Sequence, residues 1–328
     1  MKIDGISIIV VNYNGLKWLK TCLDSLFSQT YDNFEIIFVD NGSTDDSLKF
    51  LKENYKDNRL KIIKNEKNLG FAGGNNIGID NSIGEFILML NNDTFVEKDF
   101  LKNMIEFYVK NNYDIIAPFQ CSYDKKNKYE YYPGIDFIGN SVMVNRKKMF
   151  YISGVCLFFN KNFYKETKGL DNNFFMYSEE TDWFWRINLL NKKFSYVENL
   201  YVYHFGSGST GCGIKYLSFL WRNQNLLQML IKNYFWYNLI WVLPIYFIQN
   251  IFEIMFFLII LKPKIAFSYI EGWMYNIKNI KKILKNRKWV QENRIISDFE
   301  IMKKMYFGLG KLNHLWNFII NKLNKNEI

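Results

Sequence analysis

The chain has 328 residues but only 4 prolines, 4 cysteines and 2 histidines, and these scarcities exclude several classes of protein. Cys22, Cys121, Cys156 and Cys212 are scattered, with no CxxC pair and no zinc spacing, so neither a zinc module nor a disulfide framework is expected. Cys22 and Cys156 sit in apolar runs, where a small buried thiol is the ordinary outcome. Met1 to Asp4 lead straight into a strand-like segment, so no secretory leader is expected and a reducing cytoplasmic setting follows. No GxGxxG follows the first apolar run, which argues against a nicotinamide dehydrogenase. The glycine-rich stretch NEKNLGFAGGNN at 65–76 lacks the GKS or GKT ending of a P-loop.

Hydrophobic residues make up 49% and aromatics 19% of the chain, enough for a sizeable core. The formal charge is +10, from 42 basic and 32 acidic residues. The excess is concentrated at 262–288, where Lys262, Lys264, Lys278, Lys281, Lys282, Lys285, Arg287 and Lys288 face a single acid, Glu271. No nucleic-acid reader motif accompanies them, so no nucleic-acid partner is expected. Basic residues beside an apolar segment point instead to a membrane surface. That segment, 234–261, is long enough for a bilayer, which needs about 20 apolar residues. Asn238, Pro244, Gln249, Asn250 and Glu253 interrupt it. A membrane-embedded or interfacial helix is therefore expected ahead of a buried helical pair, on the cytoplasmic side of the cell membrane.

Strand and helix signals alternate over the first 120 residues. The apolar run 6–11 ends at Asn12-Tyr13-Asn14-Gly15, and 16–29 places Leu16, Leu19, Leu23, Leu26 and Phe27 at helical spacing. A second run, 34–39, stops at Asp40-Asn41-Gly42-Ser43. Ser43 or Thr44 is then expected to cap a helix through Tyr55, with Asp45 and Asp46 in its first turn. Further strands are expected at 60–63, 86–90 and 152–159, a loop at 121–132, and a short helix at 180–190. Continuous apolar strands separated by helices predict a mostly parallel α/β sheet covered on both faces. In such sheets the loops at the carboxyl ends of the strands carry function, so 12–14, 40–42 and 91–93 should converge.

The residues at those ends allow more than one reading. Asp93 in Asn91-Asn92-Asp93 can bind Mg²⁺ or Mn²⁺ with phosphate oxygens completing the shell, or simply form a turn. Asp40 can accept hydrogen bonds from a base or ribose, or cap a helix. The glycines of 65–76 let backbone approach a ligand, or form a loop entering a helix. Glu179, Glu180 and Asp182 crowd three carboxylates into four residues. Crowding raises at least one pKa and makes a general base, although acids at a helix start also suit its dipole. His204 before Gly206 can complete a metal site or be structural.

The order of these segments is more specific than any one of them. VVNYNG at 10–15, VDNGSTDDS at 39–47, NLGFAGGNNIGI at 68–79 and LNNDT at 90–94 are followed by SGVCLFF at 153–159, FFMYSEETDWFWR at 174–186 and YHFGSGST at 203–210. The series closely resembles family 2 glycosyltransferases of the GT-A fold, in particular their rhamnosyltransferase-like branch, over residues 5 to 230. The resemblance implies a glycosyltransferase domain at 1–230, with a nucleotide-sugar half at 1–118 and an acceptor half at 119–230, followed by a helical, membrane-associated region at 231–328. Val11, Asn12, Asp40, Asn68, Gly70, Asn75 and Asn92 match the nucleotide pocket. Asn91, Asp93 and His204 match the site for Mn²⁺ or Mg²⁺, with Asn91 standing where the family's DxD pattern opens with an acid. Glu180 falls at the catalytic base, where an aspartate is usual, and Asp182 is the alternative base. Glu179, Trp183 and Arg186 match the acceptor-side helix. The implied reaction moves a sugar from a UDP- or dTDP-sugar to a saccharide or lipid-linked acceptor with inversion. The competing expectations are a sugar-phosphate nucleotidyltransferase, which usually carries a basic residue in the first loop, and a non-catalytic membrane-surface protein.

Overall fold

The computed structural model describes residues 5–206 and 215–311. The tail of the YHFGSGST segment, 207–210, and Cys212 lie outside the described residues, as do 312–328. In chain order the elements are β1 (Ile6–Asn12), α1 (Leu16–Phe27), β2 (Phe34–Asp40), α2 (Ser47–Asn54), β3 (Leu60–Lys64), α3 (Gly70–Asp80), β4 (Phe86–Asn91), β5 (Thr94–Phe95), α4 (Phe100–Lys110), β6 (Ile115–Ser122), β7 (Lys128–Tyr129), β8 (Tyr132–Ile135) and β9 (Ser141–Val144). They continue with β10 (Cys156–Asn160), α5 (Lys161–Glu166), α6 (Glu179–Leu189), β11 (Phe194–His204), α7 (Tyr216–Asn233), α8 (Trp236–Ile259), α9 (Pro263–Lys278), α10 (Ile280–Asn293) and α11 (Asp298–Lys304).

The chain divides into two units. The first comprises Met1–Glu130, Ile152–Trp183 and Lys192–Ile214. Among its described residues the strands form one sheet in the order β3-β2-β1-β4-β10-β6-β11-β5, with β7 paired to β6. Strands β3, β2, β1 and β4 run parallel, β10 is antiparallel to both neighbours, and β6 and β11 are parallel to each other. The α/β sheet is mostly parallel, as expected, but mixed: β10 is reversed within it, and the short β5 and β7 are antiparallel to their partners.

Alternation along β1 explains how both faces are covered. Ile6, Ile8 and Val10 join the core that α1 and α4 supply through Leu19, Cys22, Leu23, Leu26, Phe100, Leu101 and Met104. Those helical positions recur at three- and four-residue spacing, the apolar stripe of a helix lying on a sheet. The intervening residues of β1 turn to the other face, which α3 covers. There the glycines of α3 find their use. A Cβ on Gly78 would come within 2.4 Å of Ile9 Cγ2, and one on Gly74 within 2.6 Å of Val11 Cγ1. Gly74 and Gly78 bring a helix onto the strands.

Several boundaries differ from expectation. Helix α2 begins at Ser47, so neither Ser43 nor Thr44 caps it. Asp45 Oδ1 takes the Ser47 N–H at 3.2 Å and its hydroxyl at 2.5 Å, because Ser43 is already engaged with Asn12 and Asn14. The segment expected as a loop from Cys121 is partly a hairpin, since Gln120 and Cys121 pair with Tyr129 and Lys128. Strand β10 starts at Cys156, four residues later than expected.

The second unit comprises Tyr131–Tyr151, Phe184–Asn191 and Lys215–Ile328. It thus takes in two short inserts and α7 besides the helical region expected from 231. Its hairpin β8–β9 is followed by helices of which α7 and α8 both pack on α9. Asp136 organises its start, accepting the N–H groups of Ile138, Asn140 and Gly310 at 2.8–3.1 Å. Arg294 pairs with the fully buried Asp298, which also accepts Phe235 N–H and Asn238 Nδ2 at 2.7 Å each.

Valine at Gly74 or Gly78 should therefore lower unfolding free energy by about 1–3 kcal/mol through overpacking, read from urea denaturation midpoints. Valine is preferred to alanine because alanine recovers up to about 1 kcal/mol of helix propensity. Lys102→Ala on exposed α4 surface is the control, and a valine variant as stable as that control would refute the packing role.

Candidate active site

The parallel register brings three strand ends level. Asn12 lies opposite Asp40 across β1–β2, and Val11 opposite Asn91 across β1–β4. Asn12 is fully buried, and its side chain ties the ends together. Its Nδ2 donates to Ser43 Oγ at 3.1 Å and its Oδ1 accepts Asn92 Nδ2 at 2.6 Å. A Cβ at Gly15 would sit 2.2 Å from Asn92 Nδ2 and 2.4 Å from Asn12 Oδ1, so only glycine admits that contact.

Asp40 is also fully buried. Its Oδ2 accepts the Ser43 N–H at 3.3 Å, while Oδ1 has no hydrogen-bond partner. A buried carboxylate oxygen without a donor is costly unless a ligand supplies one. Next to it, buried Asn41 acts as a clamp that the sequence reading passed over. Its Nδ2 donates to Asn68 Oδ1 and the Gly70 carbonyl, both at 3.0 Å, and its Oδ1 accepts from Asn65 Nδ2 and Leu69 N–H. Asn41 thereby fixes the 65–70 segment against the end of β2. The only sequence signal was an Asn-Gly pair after a strand, which reads as a turn. Gly70 adopts φ +75°, and a Cβ there would strike the Phe175 carbonyl at 2.0 Å. Asn75, also expected in the pocket, is buried with its amide on the Phe71 carbonyl at 2.9 Å.

Beyond β4, Asp93 Oδ1 lies 3.2 Å from His204 Nε2. Strand β11 delivers His204 there because it pairs antiparallel with β5, matching His204 with Thr94. No third His, Cys, Asp or Glu joins them among the described residues. One carboxylate and one imidazole at the mouth of a strand edge fit a divalent ion whose remaining positions are taken by water and phosphate oxygens. Asn91 is half-buried, and its carbonyl accepts the Thr94 hydroxyl at 2.6 Å.

Asn91 N–H also bonds the Val155 carbonyl at 3.0 Å, which draws the start of β10, and with it Gly154, to the same edge. Backbone N–H groups of Gly154, Glu180 and Thr181 reach the Glu180 carboxylate. Tyr177 and Ser178 enter α6 with φ of 72° and 65°, a left-handed pair that sharpens the turn into the helix. The acids after that turn differ in exposure. Glu179 is buried, with Oε2 unpartnered, and Glu180 is half-buried. Burial pushes Glu179 well above the usual carboxylate range, helped by the neighbouring Glu180 charge. Burial also raises Glu180, against the three N–H groups that favour its ionised form. Asp182 is fully buried in the first turn of α6.

Two residues expected on the acceptor side are placed inside. Trp183 is fully buried, donates Nε1–H to Thr167 Oγ1 at 2.8 Å and packs edge-on against Phe159 and Tyr164. Arg186 is buried as well. Outside the core, Trp18 packs against Phe205, the residue directly after His204, with ring centroids 3.9 Å apart and planes tilted by 40°.

Residues 7–167 match the model of glycosyl transferase family 2. The chain carries a family 2 glycosyltransferase domain. It is 28% identical over 219 residues to a glycosyltransferase of Haemophilus influenzae, covering 62% of this chain and 67% of that one. The chain spans about a fifth of the length of the first curated relatives it matches. Among solved structures, the mannosyltransferase PcManGT of Pyrobaculum calidifontis, in complex with GDP-Man and Mn²⁺, superposes with TM-score 0.54 at 12% identity, covering 97% of this chain and 88% of that one. TarS of S. aureus in complex with UDP-GlcNAc gives 0.53 at 20% identity, covering 70% and 67%. At these identities the likeness shows the GT-A fold.

Glu179 carries a pH signature. Its carboxyl is raised in the folded chain, so the native state binds the proton more tightly than the unfolded one. Stability should fall as pH rises above the ordinary carboxylate value of 4.5. Glu179→Gln should flatten that decline. Denaturation midpoints from pH 4 to pH 8 that fall equally in both proteins would remove Glu179 as its source.

Proposed function

We propose that the chain is an inverting glycosyltransferase acting on the cytoplasmic side of the cell membrane in cell-surface polysaccharide or glycan assembly. It transfers a sugar from a UDP- or dTDP-sugar, dTDP-rhamnose among them, to a hydroxyl of a saccharide or lipid-linked saccharide. The reading rests chiefly on one observation: a buried carboxylate with an unused oxygen, an Asp–His pair and a raised glutamate lie at a single sheet edge of a family 2 domain.

Each group has a role that its surroundings support. Asp40 Oδ1 accepts the ring N–H of uracil or thymine, the donor its buried oxygen lacks. Val11 and the Asn68–Gly70 turn, held by Asn41, shape the nucleoside pocket. Asp93 and His204, with Asn91 beside them, would hold Mn²⁺ or Mg²⁺. Such an ion offsets the negative charge that develops on the departing diphosphate. The structural relatives solved with Mn²⁺ support this use of a metal.

Glu180 is the base. As the acceptor oxygen attacks the anomeric carbon, its proton passes to a Glu180 carboxylate oxygen and the bond from that carbon to the diphosphate oxygen breaks. One displacement inverts the centre. A carboxylate raised toward neutrality is better matched to this task than one at its ordinary value, and the N–H groups from Gly154 and Thr181 keep it ionised enough to accept. Glu179, Trp183 and Arg186 support the acceptor side from within, through the packing that sets α6. The tip of β1 offers no basic residue, which disfavours nucleotidyl transfer.

A panel of nucleotide sugars assayed for nucleoside diphosphate release with Mn²⁺ or Mg²⁺ should identify an active donor, and chelator should abolish release. Metal-independent release, or none with any donor, would count against the mechanism. Glu180→Gln should cut turnover about 10²–10⁴-fold while donor affinity by calorimetry stays unchanged. Full activity in that variant would transfer the base role to Asp182, with Asp182→Asn as the deciding variant.

A further inference from the structure

The second unit contains a helix whose amphipathicity is reversed. An ordinary surface helix turns its apolar stripe inward and its polar side to water. On α8 the outward positions Ile248, Ile251, Phe252, Met255 and Ile259 recur at three- and four-residue spacing, Ile240 and Trp241 continue the same side about two turns earlier, and Ile240, Phe252 and Ile259 are 65%, 64% and 76% exposed. The side turned inward carries the polar groups, alongside the buried Val242 and Phe257. Gln249 and Asn250 are buried, and Tyr246 donates to the Asn223 carbonyl at 3.4 Å. Glu253 accepts from Tyr269, from Gln249 at 2.8 Å and from Lys311 at 3.0 Å.

These partners hold α8 along α7 and α9 and decide how it can meet lipid. A helix of 24 residues is about 36 Å long, enough to cross a bilayer. Crossing would separate Glu253 from Tyr269 and Lys311 and Tyr246 from Asn223, or drag those partners, a lysine included, into hydrocarbon. Lying flat keeps every one of these bonds and covers the outward stripe.

Charge and aromatic placement agree with the flat orientation. Trp236, Tyr237 and Trp241 stand at one end of the stripe, side chains that settle at the headgroup level. Lys262 and Lys264 follow Leu261, itself 86% exposed, at the other end. Lys288, 3.7 Å from the Glu292 carboxylate, lines a cleft together with Trp236, Leu284 and Arg287 at the first end. Cations thus bracket an apolar strip, complementary to a surface that is apolar below and anionic above.

We infer that the outward stripe of α8 is a membrane-docking surface on which the helix lies in the plane of an anionic bilayer without crossing it. The inference deepens the membrane placement proposed above by naming the surface and its geometry. It does not depend on sugar transfer, because vesicle binding is read without donor or acceptor.

The test sediments the full chain with phosphatidylcholine vesicles prepared with and without phosphatidylglycerol. The chain should bind the anionic vesicles more tightly, and salt should weaken binding. Combined Lys262→Gln, Lys264→Gln and Lys288→Gln should weaken it on the order of 100-fold, from about a factor of five per lysine. Ile240→Asn with Phe252→Asn should abolish vesicle binding while the melting temperature and nucleoside diphosphate release are retained. Absence of vesicle binding by the parent chain would overturn the inference. So would retention in the membrane through salt and alkaline carbonate washes, which would put α8 across the bilayer. A chain that sediments as a dimer, becomes monomeric in the stripe variant and never binds vesicles would assign the surface to a second copy instead.

Discussion

The structure of the first unit depends on β1 lying between two parallel partners. With β2 on one side and β4 on the other, the register that opposes Asn12 to Asp40 also opposes Val11 to Asn91. Side chains alternate along a strand, so a slip of one residue would send Ile8 and Val10 to the wrong face. The buried contacts of those residues with Leu23 and Leu26 on one side, and of Ile9 and Val11 with α3 on the other, hold the register. The polar ends are then level without further adjustment. The Asn12–Asn92 bond and the glycine packed on it convert that alignment into a rigid rim.

Much of this was legible in the residues. Runs such as 6–11 and 86–90 are long, apolar and β-branched, and a strand buried on both faces has few other ways to look. The polar tips were legible for the same reason, since each ends a run abruptly. Helix α3 was not. Glycines at 73, 74 and 78 erase the apolar periodicity by which a helix is read, and their purpose appears only once Ile9 and Val11 are seen against them. The reversed direction of β10 was equally hidden, because hydrophobic pattern carries no information on which way a strand runs. At the site, Asp93, His204 and Glu180 were found by type and order, whereas Asn41 looked like half of a turn. Its four hydrogen bonds are made to residues at least 24 positions away, and no local pattern encodes those.

The acids that open α6 show how burial separates chemically similar groups. Glu179 and Glu180 are adjacent, yet one is enclosed with an unpartnered oxygen and the other meets three backbone N–H groups. Burial raises both carboxyls, Glu179 well above its usual range, while the N–H groups around Glu180 favour its ionised form. Crowding alone would not make that distinction. It comes from the left-handed turn at Tyr177 and Ser178, which aims the first acid inward and leaves the second at the edge where Gly154 arrives.

Helix α8 poses the converse problem. A run of apolar residues with scattered polar interruptions has the same composition whether it spans, lies flat or packs inside. The interruptions carry the answer only when their partners are known. Asn238 bonds Asp298, Gln249 bonds Glu253, and Glu253 gathers Tyr269 and Lys311. Two of the residues that interrupt the apolar run, Asn238 and Glu253, attach the helix to its own unit. What remains outward is a strip of exposed isoleucine, tryptophan and phenylalanine. A helix fastened by its polar side and bare on its apolar side gains from a cover that is flat, apolar and bordered by anions, and the lysines at both ends are placed for that border.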